Sequence, residues 1–99
     1  MKSSKVWGNK DTQALFKAVL LLRDPAEARK FFRDLMTDSE ILEFGHRWKA
    51  ARMLSEGEQY LDIEKATGMS STTIARIQKW LRGKGGGYRM MIKRTETRN

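Results

Sequence analysis

The chain has 99 residues and a mass of 11.5 kDa, room for one domain. Twenty Lys and Arg against twelve Asp and Glu leave a net charge of +8, and a 39% hydrophobic content can build a core, which excludes a purely disordered basic tail. No apolar run reaches the roughly 18 residues of a membrane span, no apolar stretch follows Met1-Lys2-Ser3-Ser4-Lys5 to make a secretory signal, and the lack of cysteine removes disulfides, thiolate zinc sites and cysteine nucleophiles. The expected compartment is the cytoplasm, with no membrane partner.

The first regular pattern runs from Thr12 to Leu22. Ala14, Leu15, Ala18, Val19 and Leu22 share one helical face, with Asn9 or Asp11 as candidate caps. Phe16, Leu20 and Leu21 fall off that face, so the helix is apolar around most of its girth and needs cover on several sides. So short a chain has little cover to spare, and self-association is the economical supply. Asp24-Pro25-Ala26-Glu27 then sets an N-cap, a proline at the first helical position and a carboxylate three residues past the cap. A second helix is expected from about Pro25 to Leu35, with Ala28, Phe31, Phe32 and Leu35 inward. Thr37-Asp38-Ser39-Glu40 repeats the capping logic and opens a third helix. Its stripe is Ile41, Phe44, Trp48 and Ala51, flanked by Leu42 and Leu54, and Gly57 is its stop.

Tyr60 to Thr67 reads as a helix of two turns closed by Gly68, and Ser70 caps a fifth helix reaching Leu81. Gly83-Lys84-Gly85-Gly86-Gly87 breaks the chain. Tyr88 to Arg94 fits a strand by alternation, but no partner strand is evident, so a short packed helix or an arm is expected, with Met90 and Met91 as packing residues. The organisation is a single domain over 1–99: dimerisation helices over 9–57, a reading head over 60–81, and a Gly-rich linker with a basic end over 83–99. Lys2, Lys5 and Lys10 with Trp7 make a basic N-terminal stretch to which no role is given.

Charge is concentrated at one end. Residues 69–99 hold eight Lys and Arg against Glu96 alone, a net of +7, whereas the preceding residues net +1. Such an end attracts a polyanion. The sequence around it has the parts of a helix-turn-helix. Leu61 and Ile63 anchor a first helix, Gly68 accepts a left-handed turn, Met69 plugs the corner, and Ile74, Ile77 and Leu81 hold a second helix on the core. The face left outside offers Ser70, Ser71, Thr72, Thr73, Arg76 and Lys79, with Lys84 just beyond. Short hydroxyls suit phosphates or base edges, and an arginine can fork onto guanine. Glu64 is the one departure, standing where such motifs usually carry a small residue.

From Met36 to Leu81 the chain resembles the Trp repressor family, and the whole chain resembles its YerC/YecD-type branch. The carrying residues are Met36-Thr37-Asp38-Ser39-Glu40, Gly45-His46-Arg47, the helix-turn-helix, and Gly85-Gly86-Gly87-Tyr88-Arg89. The resemblance implies an all-α fold of five or six helices and an intertwined homodimer with two reading heads on successive major grooves. It also locates a ligand pocket. Arg47 matches an arginine lining the tryptophan site, and Arg76 matches one that holds the ligand's carboxylate. Ile77, however, replaces the glycine that leaves room for the indole, and Trp80 replaces a small serine near the amino group. The expectation is therefore no cofactor: free tryptophan is disfavoured as corepressor, with Trp80 either a built-in filler of the pocket or a plain core residue.

Other chemistries find little support. His46 is the only histidine and has no cysteines to join it around zinc. Gly83-Lys84-Gly85-Gly86-Gly87 lacks P-loop spacing and reads as a linker whose Lys84 and Arg89 touch the DNA backbone. The function expected is sequence-specific binding of double-stranded DNA by a dimeric regulator, not an enzyme. The alternative is an RNA-binding or protein-interaction adaptor on the same basic helical scaffold, for which few aromatics are left off the core stripes to stack on bases.

Overall fold

A computed structural model describes residues 5–97, so Lys2 of the basic N-terminal stretch and Arg98 lie outside the described residues. Six helices follow in order: α1 (Lys10–Val19), α2 (Pro25–Leu35), α3 (Asp38–Ser55), α4 (Tyr60–Thr67), α5 (Ser71–Arg82) and α6 (Gly87–Thr97). No strand occurs among the described residues. The chain separates into two units, one ending at Asp38 and one beginning at Ser39.

In the first unit, capping chemistry sets the boundaries. The Asn9 side chain accepts from the backbone N–H of Asp11 at 2.8 Å and of Thr12 at 3.0 Å, so α1 starts at Lys10 rather than Thr12. It also ends early. Leu21 and Leu22 donate to Ala18 and Val19 in tightened turns, which takes Leu20 to Leu22 out of the helix expected to hold them. At α2 the Asp24 carboxylate accepts from Glu27 N–H at 2.9 Å, and Glu27 Oε1 reaches back to Arg23 N–H at 2.9 Å, a reciprocal cap. Neither helix buries a residue fully. Phe31 and Phe32 are half-buried against each other, Leu35 is exposed instead of inward, and Leu20 and Leu21 are 83% and 77% exposed.

The second unit holds the core: Ala50 and Ala51 of α3, Ile63 of α4, Ile74 and Ile77 of α5, and Ile92 of α6. Ala50 was not on the expected stripe of α3. The first half of that stripe, Ile41 and Phe44 with Leu42, is exposed. Gly57 does stop α3 as expected. At φ 84° it lets Glu58 N–H donate to Met53 and its own N–H to Leu54, which closes the last turn. The segment left open between strand and helix is α6. Tyr88 and Ile92, one turn apart, face inward, with Tyr88 stacked on Trp48 at 6.4 Å between ring centroids. Met90 and Met91 are exposed rather than packed, because the inward side of α6 is already taken by Tyr88 and Ile92.

Candidate nucleic-acid interface

The corner between α4 and α5 follows from three local features. Gly68 adopts φ 74°, the left-handed conformation that ends α4, and its N–H donates to Glu64 O at 2.8 Å. Thr67 is buried, and its hydroxyl donates to Ile63 O at 2.7 Å while accepting from Met69 N–H at 3.1 Å. That second bond ties the residue after the turn to the helix before it, a role the sequence reading missed. A Thr just before a turn glycine is its only trace in sequence. Met69 packs against the core and plugs the corner as expected. Ile63 is buried, but Leu61 is 60% exposed and does not anchor the helix. With α4 resting on Ile63 and Thr67, which are four apart, Leu61 falls outside that face.

Ser70 caps α5, its Oγ accepting from Thr73 N–H at 3.2 Å and donating to Thr73 Oγ1 at 3.1 Å. These two hydroxyls, both candidates for DNA contact, thus serve the fold first, and Thr73 is half-buried. Ile74 and Ile77 seat α5 on the core. Ser71, Thr72, Arg76 and Lys79 stand exposed, and no hydrogen bond or ion pair engages their side chains among the described residues. Lys84 follows, exposed in the glycine loop. This outer face carries positive charge and hydroxyl groups, held on a helix fixed from behind. It suits a groove lined by phosphates and base edges.

The four residues expected around a ligand fall on two helices, Arg47 on α3 and Arg76, Ile77 and Trp80 on α5. Arg47 pairs with Glu43 at 2.8 Å and lies 5.6 Å over the Phe44 ring. Arg76 points outward with the reading face, and Ile77 is buried in the core at 4% exposure. Trp80 is 68% exposed, so within its own chain it is neither a pocket filler nor a core residue. The reason is angular: Ile74, Ile77 and Leu81 occupy the inward side of α5, and Trp80 sits on its flank. A groove of about 460 Å³ lies between α3 and the turn, lined in part by Leu42, Glu43, His46, Met69 and Thr73, and none of those four residues lines it.

The descriptive model for the Trp repressor protein family matches residues 10–96. The chain belongs to the Trp repressor family. It is 40% identical to the uncharacterized Bacillus subtilis protein YerC over 98% of this chain and 95% of that protein. A TrpR-like protein from Eubacterium eligens has a crystal structure that superposes with a TM-score of 0.85 at 39% identity, covering 89% of this chain and 91% of the other. A Trp-repressor candidate from Staphylococcus aureus gives a TM-score of 0.88 at 32% identity, over 97% and 95% of the two chains. The expected resemblance and the all-α fold both hold. Family membership makes this a DNA-binding regulator in general terms, and no helix among the described residues is long and apolar enough to cross a membrane.

Proposed function

We propose that this member of the Trp repressor family binds specific double-stranded DNA sequences as a homodimer, represses transcription in the cytoplasm, and does so without free tryptophan. One observation carries the DNA reading: α5 is divided between a buried face, Ile74 and Ile77, and an exposed outer face where the side chains of Ser71, Thr72, Arg76 and Lys79 have no partners among the described residues. The dimer is supported by the apolar surface of α1 and α2, neither of which buries a residue, and by exposed Ile41, Leu42 and Phe44 on α3. Each of these apolar faces calls for cover, and a second copy of the chain is the partner this reading assigns. Independence from tryptophan is supported by Ile77, a branched side chain locked into the core where the family's tryptophan binders have a glycine.

Helix-turn-helix dimers as a class, Trp repressors among them, read half-sites one helical turn apart, about 34 Å. Selection from a random duplex library at about 150 mM salt, where loose phosphate binding is weakened, tests the proposal. The expected result is one enriched two-fold motif. Binding that never enriches a motif, or that competes better with RNA than with duplex DNA, refutes it.

A further inference from the structure

Arg89 is exposed, but its guanidinium turns back onto the fold. Its Nη1 donates to Leu81 O at 2.6 Å and to Gly83 O at 2.7 Å, at the C-terminal end of α5. This end lacks the left-handed glycine that finishes α3 and α4. Gly83 is extended, at φ −74° and ψ 179°, and its N–H reaches only Trp80 O. Carbonyls in the last turn are therefore left without backbone donors, and a cation is the group favoured there. Arg89 supplies it from across the glycine loop. Gly86 sits beside this contact at φ 74°, and a Cβ there would lie 3.3 Å from Arg89 Nη2.

The neighbours of Arg89 extend the connection. Tyr88 stacks on Trp48 of α3, and Ile92 enters the core one turn later. The first turn of α6 thus grips α3 with one residue and the end of α5 with the next. We propose that Arg89 is a positioning residue: it clamps the last turn of the reading helix against α6, so that Lys79 and Lys84 meet DNA at a fixed depth, while Arg89 itself contacts no phosphate. This rests on the DNA reading above, and it replaces the expectation that Arg89 touches the backbone.

The test uses the full chain with Arg89→Lys, Arg89→Gln and Arg89→Ala, and Lys84→Ala as a phosphate-contact control. Amide hydrogen exchange of the free protein comes first. A clamp predicts faster exchange at Leu81 to Gly83 in Arg89→Ala, partial protection in Arg89→Gln and Arg89→Lys, and no change at Ile74 to Ile77. DNA affinity, measured where every variant is folded, should fall about ten-fold in Arg89→Ala, the size expected for losing a charge-assisted hydrogen bond. The neutral donor in Arg89→Gln should recover part of that loss, with the salt slope unchanged. Unchanged exchange at Leu81 to Gly83 in Arg89→Ala would overturn the clamp. Faster exchange with unchanged DNA affinity would overturn the positioning role. If the wild-type chain binds no DNA and Lys84→Ala is silent, the DNA reading fails by itself, and the exchange series still decides whether the clamp exists.

Discussion

One substitution made at two glycines should move stability in opposite directions. Gly45 lies inside α3, and a Cβ built there meets no heavy atom within 4 Å. Alanine at a helix interior is favoured over glycine by about 1 kcal/mol, so Gly45→Ala should stabilise by about that amount and raise Tm by about 5 °C. Gly68 is equally uncrowded, but it sits at φ 74°. There the left-handed backbone penalises an L side chain by about 1–2 kcal/mol, offset in part by about 0.4–1 kcal/mol from a less flexible unfolded chain. Gly68→Ala should therefore destabilise by about 1 kcal/mol, leaving the two variants about 2 kcal/mol apart. Urea unfolding followed by far-UV circular dichroism, at matched protein concentrations because association adds to stability, measures both. A Gly68→Ala chain as stable as wild type refutes the turn argument. A destabilised Gly45→Ala chain shows that something outside the chain packs on that turn of α3.

The reading face and the corner carry further expectations. Arg76→Ala should relax base preference and weaken the selected site by about 1–3 kcal/mol, read by repeating the library selection; an unchanged motif removes Arg76 from the reading set. Lys79→Ala should weaken all sequences alike and lower the slope of log affinity against log salt by about one unit. Thr67→Val keeps the shape but leaves the partly buried Met69 N–H without its acceptor, so chemical denaturation should show a loss of about 1 kcal/mol. Titration calorimetry with L-tryptophan should show no micromolar binding, and binding that also tightens DNA association would refute the account of Ile77.

Features encoded over three or four consecutive residues were legible in the sequence. Asp24-Pro25-Ala26-Glu27 reads directly as a reciprocal cap, and Gly57 and Gly68 read as stops, because each acts on its immediate neighbours. Ser70 to Leu81 gave the reading helix and its inward isoleucines. What failed was the choice of face on short or crowded elements. Leu61 looked inward by hydropathy, but α4 has two turns and its packing side is decided by Ile63 and Thr67. Leu20 and Leu21 look helical by hydropathy, but the chain tightens into turns at Leu21 and Leu22 and α1 ends at Val19. Trp80 and Arg89 depend on partners that sequence spacing does not announce. Trp80 lies on a flank of α5 that leaves it 68% exposed, and Arg89 reaches a carbonyl eight residues back. Ser71, Thr72, Arg76 and Lys79 are exposed as the helical spacing implies, but spacing does not show that the hydroxyls of Ser70 and Thr73 are taken up by each other.

The two-sided character of α5 bears on how such a protein changes over generations. Its inward isoleucines answer to the core, whereas Ser71, Thr72, Arg76 and Lys79 are exposed, with no side-chain partner among the described residues. Surface substitutions without structural duties usually change stability by less than about 0.5 kcal/mol. On the DNA reading proposed above, one copy can therefore alter these positions singly after a gene duplication and acquire a new operator while the scaffold goes on folding as before. Divergence of target sequence within this branch should accumulate at those four positions and spare Ile63, Thr67, Gly68, Ile74 and Ile77.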